Sequence, residues 1–230
     1  MIFLYLFGFL PSIIWLLFYL RKDVHPESNS MILKVFFLGM AFAFLAIILE
    51  ILFRKLNFKN LSYGFLLNIF IGGALIEEYV KYLTVKVSVL KNSELDEPVD
   101  LMLYMIISAL GFAALENILK ITELHPYLEI ADVLGITIVR FISATFLHAL
   151  CSGILGYFLA LSFFDLKNRK KLFLMGLIGT VGLHGLYNLS IMRIEGFLKI
   201  YLIILILIIL AIFVSFGFKK LKRLKSVCLI

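Results

Sequence analysis

Seven predominantly apolar runs follow one another along the chain, at residues 2–20, 31–53, 61–90, 99–120, 133–164, 172–192 and 197–218. A hydrocarbon core about 30 Å thick is crossed by roughly 20 helical residues. Inside it each backbone N–H and C=O needs an internal partner, which leaves the helix as the solution for single runs of this length. The pattern predicts an all-α fold, a polytopic transmembrane helical bundle of about seven spans, with residues 1–230 forming a single integral membrane domain. Composition agrees, since 63% of the 230 residues are hydrophobic, against roughly 45–50% in soluble domains. The breaks carry turn and charge signals: Pro26 in 21–30, basic residues in 54–60, and acids followed by Pro98 in 91–98. The runs at 61–90 and 133–164 are longer than one bilayer thickness, an excess that tilt or extension beyond the membrane would absorb.

The first run lacks a basic leading region and a clear small-residue cleavage site, and is read as a retained helix. Cys151 lies inside a run and Cys228 in the tail, so no disulfide framework is expected. The ending Cys228-Leu229-Ile230 is one residue short of a prenylation box. With seven spans, one side collects Arg21, Lys22, Lys91, the Lys167, Arg169, Lys170, Lys171 cluster and a tail with Lys219, Lys220, Lys222, Arg223 and Lys225. The other side has fewer basic residues: Arg54, Lys55, Lys59, Lys120, Arg193 and Lys199. The positive-inside rule therefore predicts a cell-membrane protein with its N-terminus outside and its C-terminus cytoplasmic. The net charge of +7 calls for no nucleic acid, because the anionic headgroups of the lipid bilayer are sufficient partners.

Within this apolar background, Glu77, Glu78 and Lys81 are costly. A charge near the bilayer centre costs about 2.5–3.5 kcal/mol on insertion scales, so the group needs partners, water or a function. At about 100° per residue the two glutamates point in different directions, with Lys81 between them one turn onward, able to pair with either. Such a cluster can simply lock helices together. It can also set the proton affinity of a carboxylate for work as a general base. Later runs add Glu116 and Asn117 at the end of the fourth, His148 near the middle of the fifth, and His184 with Asn188 on one face of the sixth. Each has a plain structural reading: a packed histidine, an amide joining two helices, or Glu116 paired with Lys120 or Arg140. Together they comprise the parts of a hydrolytic site, namely a base, a water-orienting group and oxyanion donors. Small residues surround them: Gly72, Gly73 and Ala74 before the carboxylates, Ser143, Ala144, Ser152, Gly153 and Gly156 around His148, and Gly176, Gly179, Gly182 and Gly185 every third residue toward His184. These suit close helix packing.

The ordered set Glu77-Glu78-Tyr79-Val80-Lys81, Gly111-Phe112 with Glu116-Asn117, His148, and His184 with Asn188 resembles the motifs of the PrsW family of intramembrane proteases. The likeness runs from about Gly72 to Asn188, inside an expected catalytic core of residues 61–192. The wider group includes CAAX-processing endopeptidases and the CPBP proteins, whose first motif is EExxxR; Lys81 at the shorter spacing favours the PrsW branch. The resemblance implies hydrolysis of a peptide bond in a membrane-protein substrate, for instance a single-span anti-sigma factor clipped near the outer surface. It implies Glu77 as the base for water and His148 as an aid in positioning that water. His184 and Asn188 would stabilise the oxyanion, and Glu78 with Lys81 would fix Glu77. Glu116 and Asn117 form an accessory pair, and by sequence alone either glutamate can be the base. No cofactor is expected. The alternative is a zinc-dependent version of the same protease with Glu77, His148 and His184 as ligands, although no HExxH spacing is present. A proton-coupled transporter or channel is the other class to weigh, and the chain shows no second copy of the Glu77-Glu78 segment of the kind that transporter repeats display. A non-catalytic scaffold is a third.

Overall fold

The computed structural model describes residues 2–23, 25–58, 61–124 and 129–224. Lys59, Lys225 and Cys228, with the chain end read above, lie outside the described residues. Among those described there is no strand. The helices are α1 (Ile2–Leu20), α2 (Asn29–Lys55), α3 (Gly64–Ile69), α4 (Ile76–Ser88), α5 (Pro98–Leu124), α6 (Ile130–Ile142), α7 (Ala144–Phe164), α8 (Arg169–Arg193) and α9 (Gly196–Leu221). A π-helical segment, Phe70–Leu75, joins α3 to α4, and a 3-10 turn, Leu166–Asn168, precedes α8.

Among the described residues seven traverses result, as the spacing of apolar runs predicts: α1, α2, α3 through α4, α5, α6 through α7, α8 and α9. Among the described residues, five helical stretches are long and apolar enough to cross a membrane, and α1 contributes a shorter apolar helix. The α3–α4 traverse falls outside that group because it carries Glu77, Glu78 and Lys81.

α5 is the axis of the bundle. It is apolar all round from Leu101 to Leu115, the pattern of a helix surrounded by protein, and that stretch is buried throughout. Helices α1, α2, α4 and α7 pack on it. Close approach depends on small residues, as is usual between membrane helices. A Cβ on Gly111 would run into the carbonyl oxygen of Phe36, and one on Gly39 into that of Ser108, so α2 and α5 touch backbone to backbone. Gly156 of α7 sits as closely over Met102, where an added Cβ would lie 2.6 Å from its Cα. By contrast α9 is mostly exposed along its apolar length, as a lipid-facing helix should be.

Two departures concern the long runs. The 133–164 run does not cross as one tilted helix. It breaks at Ser143, whose φ of −122° and ψ of −85° end α6 and start α7. The Ser143 hydroxyl donates to the Val139 carbonyl oxygen, competing with the helical ladder in the way hydroxyl side chains do. His148 lies just past this break, in the second turn of α7 and near the middle of the combined α6–α7 traverse. The 61–90 run starts its helix at Gly64 and passes through the π-helical segment just before the glutamates. Nor do all the glycines of α8 serve packing. Gly176 faces Phe158 and Gly185 faces the Phe70 ring, whereas Gly179 and Gly182 have nothing within 4 Å of an added Cβ.

The two ends of the bundle differ. At one, loops 21–28 and 89–97 are tied together by Ser28 Oγ donating to Glu94 at 2.7 Å and by His25 Nδ1 against Glu97. Phe163 and Phe164 at the end of α7 lie beside the 89–97 loop, and Lys219 and Lys222 of α9 lie beside Lys22. This is the basic end. The opposite end gathers Asn57, Phe58 and Met192 around a cleft.

Candidate active site

The π-helical segment brings Gly73 to the wall of that cleft and leads into α4, whose Glu77 lines it. From there one turn of helix orients three charged groups. Lys81 Nζ donates to Glu78 Oε1 at 2.8 Å and to Glu77 Oε2 at 3.3 Å, as the azimuths in the sequence predict. It also lies 2.7 Å from His148 Nδ1 and 4.6 Å from the centre of the Phe112 ring. Lys81 and Glu78 are fully buried. A buried ion pair persists only where its remaining donors and acceptors are met, and here they are.

The two glutamates part company at this point. Glu78 Oε1 also accepts from His184 Nδ1 at 2.9 Å, and its Oε2 accepts from Ser152 Oγ at 3.2 Å. Both oxygens are occupied and neither reaches the cleft. Glu77, whose side chain is 14% exposed, lines the cleft with Glu50, Arg54, Asn68, Glu116 and Asn188, around about 540 Å³ of space. Its Oε2 stands 3.7 Å from His148 Nδ1 and 3.9 Å from His184 Nε2.

The histidine tautomers follow from their partners. An ammonium can only donate, so His148 Nδ1 is an acceptor and its Nε2–H donates to Glu116 Oε2 at 2.8 Å. With Nδ1–H held on the Glu78 carboxylate, His184 turns its Nε2 toward Glu77. The two imidazoles meet edge to face, 5.2 Å apart. Behind them a second layer runs through α5 and α6. Glu116 Oε2 lies 3.3 Å from the Arg140 guanidinium, Arg140 Nε donates to Asn117 Oδ1, and Asn117 Nδ2 donates to Thr145 Oγ1 at 3.0 Å. Glu116 is thus paired with Arg140 and His148, while Lys120 pairs instead with Glu123.

The structure brings together Glu77, Glu78, Lys81, Glu116, Asn117, His148 and His184, and sets Asn188 on the cleft wall beside Glu77 and Glu116. Ser152, Arg140, Glu50 and Asn68 join them without having been singled out as site residues. Glu50 had a signal in the sequence: it is an acid inside the 31–53 run, expensive by the same reasoning that flags Glu77. Ser152 had none, because a serine among small residues reads as packing.

Glu77 Oε2 and one nitrogen each of His148 and His184 lie within 4.8 Å of one another, a set that suits zinc in kind and number. The charge does not suit it. Lys81 Nζ takes up the His148 Nδ1 lone pair and contacts Glu77 Oε2, so a cation between those atoms requires the lysine to withdraw.

Fold and site together define a polytopic helical membrane protein with a carboxylate–imidazole centre opening to a cleft at one end. The profile of the PrsW family intramembrane metalloproteases matches residues 27–216, and the chain belongs to that family. It is 30% identical over 153 residues to "Protease PrsW" of Geobacillus kaustophilus (strain HTA426), covering 66% of this chain and 63% of that protein. The Bacillus subtilis (strain 168) "Protease PrsW" is 30% identical over 153 residues, covering 66% and 65%. The Clostridioides difficile (strain 630) protein of the same name is 29% identical over 174 residues, covering 74% and 71%. The chain thus spans less than two thirds of the length of the first two of these relatives. No solved structure matches it. Family and apolar helices together make it a multi-pass membrane protein.

Proposed function

We propose that the chain is an intramembrane endopeptidase and that Glu77 activates the attacking water. The observation that carries this reading is the asymmetry of the glutamates: Glu78 is sealed by Lys81, His184 and Ser152, while Glu77 faces both the cleft and the free Nε2 of His184. A gap of 3.9 Å is too wide for a direct hydrogen bond and suits a water that donates to both groups. Water oxygen attacks the carbonyl carbon as its proton passes to the Glu77 carboxylate. Collapse of the tetrahedral intermediate breaks the C–N bond, and the Glu77 carboxylic acid returns the proton to the leaving nitrogen. Such proton transfer contributes roughly 10²–10⁴-fold.

In this scheme His184 orients the water and Asn188 donates to the oxyanion from the cleft wall. His148 has both ring nitrogens engaged, by Lys81 and Glu116, so it holds Lys81 and the floor of the site in place, a different role from the water-positioning one that the motif order implies. The substrate class is a single-span membrane protein, an anti-sigma factor in the reading that the family resemblance supplies. The curated names of the relatives support the protease reading.

A zinc-dependent version is the second reading, favoured by the family's description as metalloproteases and by the three close donor atoms. Glu77, His148 and His184 would hold the ion, which when bound supplies Lewis acidity and an acidified water. The contacts of Lys81 favour the metal-free form. Membrane-protein fragments compared between cells carrying wild-type protein and the Glu77→Gln, Glu78→Gln variant test the activity: a fragment is lost and its precursor accumulates. An unchanged fragment pattern would favour the transporter class. Stoichiometric zinc in active protein, with activity lost on its removal and regained on its return, would overturn the metal-free form.

A further inference from the structure

A second groove, enclosing about 690 Å³, lies between α1, α9 and the α6–α7 bend, away from the glutamates. Its mouth at the basic end is lined by Lys22, Lys219 and Lys222, and among the described residues no aspartate or glutamate lines it. Lys219 and Lys222 are three residues apart at the end of α9 and so share a face. Lys22 Nζ sits over the Phe18 ring, 4.7 Å from its centre, which holds the ammonium beside the groove. The floor is of another kind. Trp15 stacks on Phe146 at 4.1 Å and on Phe141 at 5.3 Å. The one donor of its indole is already given to the Phe141 carbonyl oxygen at 2.8 Å. A rigid aromatic floor with its polar atom satisfied asks for hydrocarbon, and the lysines at the mouth ask for an anion.

We propose that this groove binds one anionic phospholipid, its phosphate among Lys22, Lys219 and Lys222 and an acyl chain along Trp15 and Phe146. A second copy of the chain is a poorer occupant, because a two-fold contact through this face would bring both lysine sets together. The bound chain would lie against the Ser143 bend, since Phe141 and Phe146 flank it.

The test uses full-length protein taken from vesicles of phosphatidylcholine with phosphatidylglycerol and examined by native mass spectrometry. Wild-type protein retains phosphatidylglycerol above its share of the vesicle lipid. Each lysine near an anionic headgroup contributes about fivefold to binding, so the Lys22→Gln, Lys219→Gln, Lys222→Gln variant loses more than about tenfold of that retention. The Lys167→Gln, Lys170→Gln, Lys171→Gln variant, with the same charge loss at the start of α8, keeps it. Equal loss in both variants, or no loss in the first, would overturn the proposal. So would equal retention of phosphatidylcholine, or efficient disulfide cross-linking between two chains through Ser215→Cys on the groove wall.

Discussion

Lys81 holds the site together at the scale of single residues. Its ammonium serves Glu77, Glu78 and His148 at once, without access to water. Removing one partner of a buried ion pair leaves an uncompensated charge and costs about 3–5 kcal/mol. Lys81→Met is therefore expected to lower the thermal unfolding temperature in detergent and to abolish cleavage; an unfolding temperature equal to wild type would show that the buried charges are not mutually dependent. The cost of burying charge made Glu77, Glu78 and Lys81 legible in the sequence, and helical azimuth foretold their pairing. The separate fates of the two glutamates were not legible. They depend on which side of α4 meets Ser152 of α7 and His184 of α8, and one helix's pattern does not encode its neighbours. Arg140 is a similar case, since its reach to Glu116 and Asn117 exists only because α6 lies beside α5.

Among the elements, the traverses follow from apolar run lengths, and their irregularities do not. A hydropathy run is blind to a backbone break, so the end of α6 at Ser143 and the π-helical turn before α4 emerge only from packing. π-Helical turns are frequent at functional sites, and this one ends at Leu75, separated from Glu77 by Ile76 alone. Glycine spacing has the same ambiguity, and the structure separates the cases. Gly111→Val would press into the Phe36 backbone at the α2–α5 contact, and overpacking of this kind costs about 1–3 kcal/mol. Gly182→Ala meets open space, and alanine is the better helix former by about 1 kcal/mol. The first variant should unfold at lower temperature than wild type and the second at the same or higher temperature. A reversed order would contradict the assigned helix contacts.

At the scale of the molecule, a central buried α5 fixes where the other helices can approach, and the cleft with Glu77 opens at the end opposite the lysine-rich loops. If the basic end is cytoplasmic, as the loop charges predict, the cleft faces the outer half of the membrane. A reporter active only in the cytoplasm, fused after the α9 tail, should give signal, whereas a signal from an extracytoplasmic reporter at that position would invert the orientation. The account as a whole rests on Glu77 directing water onto a peptide bond. The most direct measurement is to incubate purified full-length protein in bilayers with a single-span membrane-protein substrate in ¹⁸O-labelled water, and to read the new C-terminal carboxylate by mass spectrometry. Wild-type protein should place label in that carboxylate, and Glu77→Gln, folded and inserted as wild type, should lose at least about 10²-fold of it. Undiminished labelling by Glu77→Gln would contradict the account.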